Sequence, residues 1–416
     1  MLYLPKTNGG GAMEIKLPDE VRYIIDTLEN GGFEAYAVGG CVRDSLLGRT
    51  PSDWDVCTSA LPEQAMQCFD GCRIIETGLR HGTITLMLNN QPFEVTTYRV
   101  DGKYTDNRRP DSVRFVNVLK RDLARRDFTV NAMAYNPKTG VVDYYGGRQD
   151  LASGKIKCVG NADKRFKEDA LRIMRALRFA SVFGFSIDSD TASAMRGNKK
   201  LLRNIAAERI ATELNKLLLG DGVCEILSEH TEIIAEIIPE IIGSNISYGV
   251  ENAPKDVILR LTMLFSGIGS PDAAESILSR LKYDNDTIKA VSQLILYRFY
   301  EITDGRDIKK LLNKIGEERF RQLIEIKKAR AMALADGIRQ NTTAELSRIL
   351  SLTDEIIGQR QCYALKDLAV NGGDLIAAGV PEGVQIGIIL NRLLNLVIDG
   401  EAENDKAVLI GKAEKY

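Results

Sequence analysis

The sequence predicts an α+β protein, with a head of mixed or antiparallel sheet and helices followed by an all-α remainder. Two observations predict it. Between residues 13 and about 150, short strand-like runs alternate with helical patterns. From Ala162 onward the apolar positions recur at helical period, and glycine-rich turns separate the segments. At 416 residues and 44% apolar content the chain holds two to four domains with real cores.

Met1 to Ala12, with Asn8 followed by three glycines, reads as a disordered leader, a misplaced start or a remnant of cloning. Val21–Asn30 is a helix and Ala35–Val38 a strand that runs into Gly39-Gly40. A helix over Val42–Leu47 follows, then strands at Trp54–Cys57, Gly82–Leu88, Pro92–Tyr98 and Val141–Tyr145. Arg99–Pro110 is polar, contains glycine and ends in proline, which is loop chemistry. Phe166–Phe183 reads as one amphipathic helix with interleaved arginines. Further helices are expected at Glu208–Leu219, Val223–Ile238, Pro254–Phe265, Pro271–Leu281, Asp286–Phe299, Ile308–Ile315, Glu318–Ile338, Thr342–Leu352 and Ile388–Ile398.

The chemistry concentrates around Asp53-Trp54-Asp55. On a strand, carboxylates at i and i+2 face one way and repel unless a cation lies between them. Hard oxygen ligands suit Mg²⁺, which takes one or two carboxylates and leaves the rest of its shell to water and phosphate. Gly39 and Gly40 allow backbone to approach a triphosphate, and the helix behind them presents its N-terminus to anions. Arg43, one turn in, can clamp phosphate with its fork. Alone, an Asp-x-Asp is usually a turn or a solvated strand end. The strand–turn–helix–strand order gives the metal–triphosphate reading its weight. Glu94 is either a third carboxylate or an ordinary exposed strand residue.

The run Val38 to Gly48 followed by Asp53-Trp54-Asp55 resembles the head motif of the class II tRNA nucleotidyltransferase/poly(A) polymerase family. Arg125–Ala132 resembles its second motif, Glu168–Arg172 its nucleotide-selecting motif and Ala207–Ala211 the structural motif that follows. The likeness is dense from residue 13 to about 215 and looser beyond. It implies a nucleotidyltransferase head at 13–150 and a helical neck at 151–215. It also implies a body at 216–350 and a tRNA-contacting tail at 351–416. Asp53 and Asp55 would hold Mg²⁺. Arg126, Asp127 and Asn131 would meet the ribose and phosphates, with Arg126 the foremost contact. Asp169 and Arg172, taken as i and i+3 on a helix, share a face. The bland reading is an intrahelical ion pair. In the functional one, Asp accepts from the exocyclic amino group of cytosine or adenine while Arg donates to the ring. UTP and GTP would leave unpaired polar groups. Arg175 and Arg178 resemble further nucleotide-contacting arginines. Arg99–Pro110 is similar to the flexible loop of relatives that add the whole CCA end. The implied activity is template-independent CCA addition to tRNA from CTP and ATP. The rivals are partial CC- or A-addition and poly(A) polymerase.

Other classes are excluded or weakened. No run of 18 apolar residues exists, and no secretory signal is visible. The seven cysteines form no Cys-x-x-Cys pair, so zinc is not expected, and reduced thiols in a cytoplasmic protein are the simplest reading. Two histidines, His81 and His230, are too few for a metal phosphohydrolase, and Ser266-Gly267 stand where many relatives carry His-Asp. Net charge is −2, yet Arg306–Arg330 holds nine basic against four acidic residues, a candidate RNA-contacting stretch or a solvated face.

Overall fold

The computed structural model describes residues 14–102, 112–246 and 249–414. The leader at 1–12, and the part of the Arg99–Pro110 loop from Lys103 on, lie outside the described residues. Contacts divide the chain into two compact units, one ending at Ile242 and the other beginning at Gly243.

The first unit opens with α1 (Asp19–Asn30), β1 (Ala35–Val38), α2 (Gly40–Leu46), β2 (Asp55–Thr58) and α3 (Pro62–Cys68). Strands β3 (Arg73–Ile75), β4 (Thr83–Leu88), β5 (Gln91–Thr97), β6 (Arg99–Asp101) and β7 (Val113–Phe115) follow. Then come α4 (Leu119–Ala124), β8 (Met133–Asn136), β9 (Gly140–Asp143), α5 (Gly147–Ala152) and β10 (Lys155–Ile156). Next are α6 (Ala162–Glu168), α7 (Leu171–Phe183), β11 (Ser186–Ile187), α8 (Ser189–Asn198), α9 (Ala207–Leu218), α10 (Val223–Glu229) and α11 (Thr231–Ile234).

Among the described residues the main sheet has seven strands in the order β3-β4-β5-β2-β1-β8-β9. Only β2 and β5 run parallel; the other neighbours are antiparallel. That parallel pair sets Asp55 opposite Glu94. Helix α1 buries Val21, Ile24, Ile25 and Leu28, the i, i+3, i+4, i+7 face expected of an amphipathic helix. Beneath the site, Val38, Cys57, Tyr98, Leu123, Ala132 and Ala134 form one core cluster.

The second unit is helical: α12 (Val257–Ser266), α13 (Pro271–Arg280), α14 (Asn285–Tyr297), α15 (Gly305–Ala331), α16 (Asp336–Gly358), α17 (Gly372–Ala377), α18 (Val384–Asp399) and α19 (Lys406–Ala413). Leu375, Ile389, Leu393 and Leu409 bury a core there. Helix α15 breaks its regular dihedrals at Gly316, where φ is 78°. A side chain rarely adopts that value, and the break falls between the two helices expected from sequence.

Three expectations need correction. The helix expected over Phe166–Phe183 is interrupted. Asp169 takes extended dihedrals, φ −137° and ψ 104°, and its Oδ1 accepts the Leu171 amide instead of yielding to the helix ladder. Val223–Ile238 divides into α10 and α11 at His230, which is buried at the junction. Glu318–Ile338 stops at Ala331, and α16 begins anew at Asp336. All seven cysteines are free thiols, and no helix among the described residues is long and apolar enough to cross a membrane.

Candidate active site

The turn between β1 and α2 builds the site's floor. Gly39 has φ 86°, and its amide donates to the Met133 carbonyl across the sheet. A Cβ on Gly39 would lie 2.6 Å from Arg126 Nη1, so the guanidinium rests against bare backbone. A Cβ on Gly40 would be 3.6 Å from Arg43 Nη2. Behind the turn, the Cys41 thiol donates to the Val38 carbonyl, and burial pushes that thiol up to about 12.

Asp55 opens β2, and Asp53 lies in the turn before it, exposed, with Ser52 Oγ donating to its Oδ1 at 3.1 Å. Strand alternation therefore does not by itself align the pair, as the sequence spacing suggested. Their link is through charge instead: beneath the larger effect of burial, Asp53 adds to the rise of the Asp55 carboxyl. Burial pushes the Asp55 carboxyl up to about 6; Arg126 opposes the rise, and Glu94 and Asp53 add to it. Crowded carboxylates of this kind, with all-oxygen donors, fit a hard divalent cation. Glu94 is exposed on β5. Among the described residues no three acidic, histidine or cysteine side chains form a ready metal cage. Two carboxylates with open positions remain, which is the donor set Mg²⁺ uses beside phosphate.

Arginines dominate the opposite side. Asp122, fully buried on α4, accepts Arg125 Nε at 3.0 Å and lies 3.9 Å from Arg126. Arg125 thus turns inward and Arg126 toward Gly39. Asp127 is buried and accepts Arg175 Nε at 2.8 Å, Arg175 Nη2 at 2.6 Å and Asn131 Nδ2 at 3.1 Å. Burial alone would raise its carboxyl, yet Arg175 and Arg172 hold it well below the usual range. Asn131 in turn accepts Arg43 Nη1 at 2.5 Å. Arg43 is no free phosphate clamp. It is buried, bound to Asp44 at 2.9 Å, and its guanidinium lies 5.1 Å and 4.7 Å from the ring centres of Phe179 and Phe183. Arg175 and Arg178 also stand over Phe179, at 5.3 Å and 4.0 Å, and Arg178 pairs with buried Glu213 at 3.0 Å.

Asp169 and Arg172 do not share a helix face, because the break at Asp169 separates α6 from α7. Arg172 donates to Glu168 at 2.8 Å and to the Arg125 and Arg165 carbonyls. Asp169 Oδ2 accepts Arg209 Nη2 from α9 at 3.3 Å. A carboxylate offers about four lone-pair sites, so Asp169 retains capacity for a base amino group. Sequence reasoning missed Asp122, Phe179, Arg209 and Glu213. Arg209 and Glu213 reach partners on other elements, and only the Ala207–Ala211 motif signalled that α9 belonged here. Asp122 and Phe179 engage arginines close by in sequence, a pattern that also fits a solvated surface or a plain core.

A glycine turn, a crowded carboxylate pair and a bank of arginines, set on a small mixed sheet, define a nucleotidyltransferase head. Residues 35–157 match the Poly A polymerase head domain, 184–242 the probable RNA and SrmB-binding site of polymerase A, and 254–413 the putative tRNA nucleotidyltransferase domain 2. The CCA-adding enzyme of Levilactobacillus brevis is 35% identical over 407 residues, covering 95% of this chain and 98% of that protein. That of Enterococcus faecalis is 34% identical, covering 95% of each. The crystal structure of the Bacillus stearothermophilus CCA-adding enzyme in complex with CTP matches with TM-score 0.78 and 30% identity, covering 96% of this chain and 98% of that one. The Thermotoga maritima CCA-adding enzyme complexed with tRNA shares the fold, with TM-score 0.64 and 20% identity over 97% and 96% of the two chains. The chain belongs to the family of CCA-adding tRNA nucleotidyltransferases, enzymes that depend on a metal ion.

Proposed function

We infer that the protein adds CCA to the 3′ end of tRNA from CTP and ATP without a nucleic-acid template. The observation that carries this reading is Asp55, in the field of Asp53, Glu94 and Arg126, with that same Arg126 resting on the Gly39 turn. Asp53 and Asp55 are the residues to hold Mg²⁺. When bound, the ion makes the tRNA 3′-hydroxyl easier to deprotonate and offsets charge on the departing pyrophosphate. Glu94, opposite Asp55, adds negative potential at the same edge. The 3′-oxygen attacks the α-phosphorus, a new phosphodiester forms, and the bond to pyrophosphate breaks. Gly39 and Gly40 let the triphosphate close on backbone, and Arg126 meets its charge. Asn131 and Asp127 hold Arg43 and Arg175 in place around the nucleotide. Asp169 reads the exocyclic amino group, Arg172 orients the segment that carries it, and Arg178 lines the same face.

The division into a 13–150 head, 151–215 neck, 216–350 body and 351–416 tail follows the same reading, with tRNA contacts in the tail. The work is placed in the cytoplasm. The likeness of Arg99–Pro110 to the loop of full CCA-adders favours the whole reaction over CC-addition. The test is a tRNA lacking its last three nucleotides, incubated with each nucleotide singly and with CTP and ATP together. Two additions with CTP alone and three with both are expected. An ATP-only ladder would instead indicate a poly(A) polymerase.

A further inference from the structure

The second unit contains a cavity of about 610 Å³ between the C-terminal ends of α14 and α15 and the start of α16. Two cations line it, Arg298 and Lys327, and a third, Arg330, stands beside it over the Phe299 ring. Arg298 is buried to 8% exposure; it donates to the Ile295 and Gly269 carbonyls, and its Nε has no hydrogen-bond partner. Lys327 donates to the Arg298 and Tyr300 carbonyls at 3.2 Å and 2.7 Å. Burial, with Arg330 beside it, pushes Lys327 down to about 8, against a weaker pull from Glu301. Arg330 and Arg298 each place a guanidinium 4.5 Å from the ring centre of Phe299. That ring is nonetheless 63% exposed.

Among the described residues, none of these three cations has a carboxylate within ion-pair distance. Two carboxylates also line the cavity: Glu345, which Arg348 engages at 2.7 Å, and Glu301, which only weakly offsets Lys327. Cations in excess of the carboxylates around a concave site favour an anion, and an exposed aromatic ring beside them favours a flat partner. Backbone carbonyls satisfy some N–H groups but leave the charge in place. An isolated inorganic anion would use the cations and ignore the ring. An RNA strand uses both.

We propose that this cavity holds one phosphodiester of the tRNA substrate, with the adjoining nucleobase or ribose packed on Phe299. The proposal rests on the functional reading above and assigns that reading a docking point in the second unit. The test uses the full chain with Phe299→Leu and Arg330→Gln, tRNA binding read by fluorescence anisotropy, and steady-state CTP addition. Phe299→Leu keeps apolar bulk and removes the π face. Each variant should weaken tRNA binding about 5- to 20-fold, in line with the worth of a stacking or phosphate contact. Arg330→Gln should also lower the slope of log affinity against log salt by about one. KM for CTP and kcat at saturating tRNA should stay unchanged. Wild-type tRNA affinity in both variants, with unchanged melting temperatures, overturns the proposal. So does a fall in kcat alone, which marks a structural role. If Arg330→Gln melts early, the more exposed Phe299→Leu decides. Failure of the wild-type chain to extend tRNA would overturn the functional reading instead. Competition by an acidic peptide but not by tRNA would reassign the cavity to a protein partner.

Discussion

Asp55 carries a carboxyl that the fold makes hard to ionise. Its proton leaves near pH 6 rather than near the ordinary 3.8, chiefly because the group is buried. The unfolded chain gives up that proton earlier, so between pH 4 and 6 the native state binds more protons. Stability therefore falls as pH rises through that window and stays lowered above it. The shift corresponds to at most about 3 kcal/mol. Asp55→Asn should raise the melting temperature at pH 7 in chelator, with no gain below about pH 4, while nucleotide addition falls far more than tenfold. A variant that melts earlier than wild type at pH 7 would contradict this account. At Asp169 the question is selection. With Oδ2 on Arg209 and Oδ1 on the Leu171 amide, its carboxylate is aimed by protein, not by a template. Loss of a buried complementary partner costs about 1–3 kcal/mol, or roughly 5- to 150-fold. Asp169→Ala should weaken CTP and ATP use and narrow their advantage over UTP and GTP. Unchanged preference in a well-folded variant would return Asp169 to a purely structural role as the partner of Arg209.

Elements explain what the sequence could and could not reveal. The strand at Ala35–Val38 and the Gly39-Gly40 turn were legible because local geometry alone demands them. Strand β8 was not: Met133-Ala134-Tyr135-Asn136 is buried at every position, so it lacks the alternation that marks a strand. The break at Asp169 was hidden because apolar residues continue through it at helical spacing, and a side-chain bond to the Leu171 amide leaves no periodic trace. Arg209 reaches Asp169 across 40 residues, beyond any local pattern. The turn itself yields a test. Gly39→Ala combines a left-handed φ of 86° with a Cβ 2.6 Å from Arg126 Nη1. The guanidinium must move, and misplacement of about 1 Å costs on the order of 100-fold in rate. CTP addition should fall by that order while tRNA affinity holds. Near-normal kcat would show that Arg126 need not rest on this backbone.

At the scale of the whole molecule, the two units have separate cores. Leu393, fully buried among Leu375, Ile389 and Leu409, belongs to the second. Leu393→Ala should destabilise that unit by about 2–5 kcal/mol, the usual cost of a core truncation. CTP binding to the first unit should persist at temperatures where tRNA binding has gone. Simultaneous loss of both on heating would mean that the units unfold as one. The thiols are also spread across the chain, and burial raises several of them. Cys41 and Cys158 are pushed up to about 12, Cys362 to about 11, and Cys57 well above its ordinary value. At neutral pH a thiol held this high is almost wholly protonated, and the thiolate is the reactive form. A cysteine packed directly behind the catalytic turn is therefore nearly inert to peroxide and alkylating reagents. Peroxide that silences thiol-dependent catalysts should thus leave nucleotide addition unchanged, a result that assaying CTP incorporation after peroxide treatment would check.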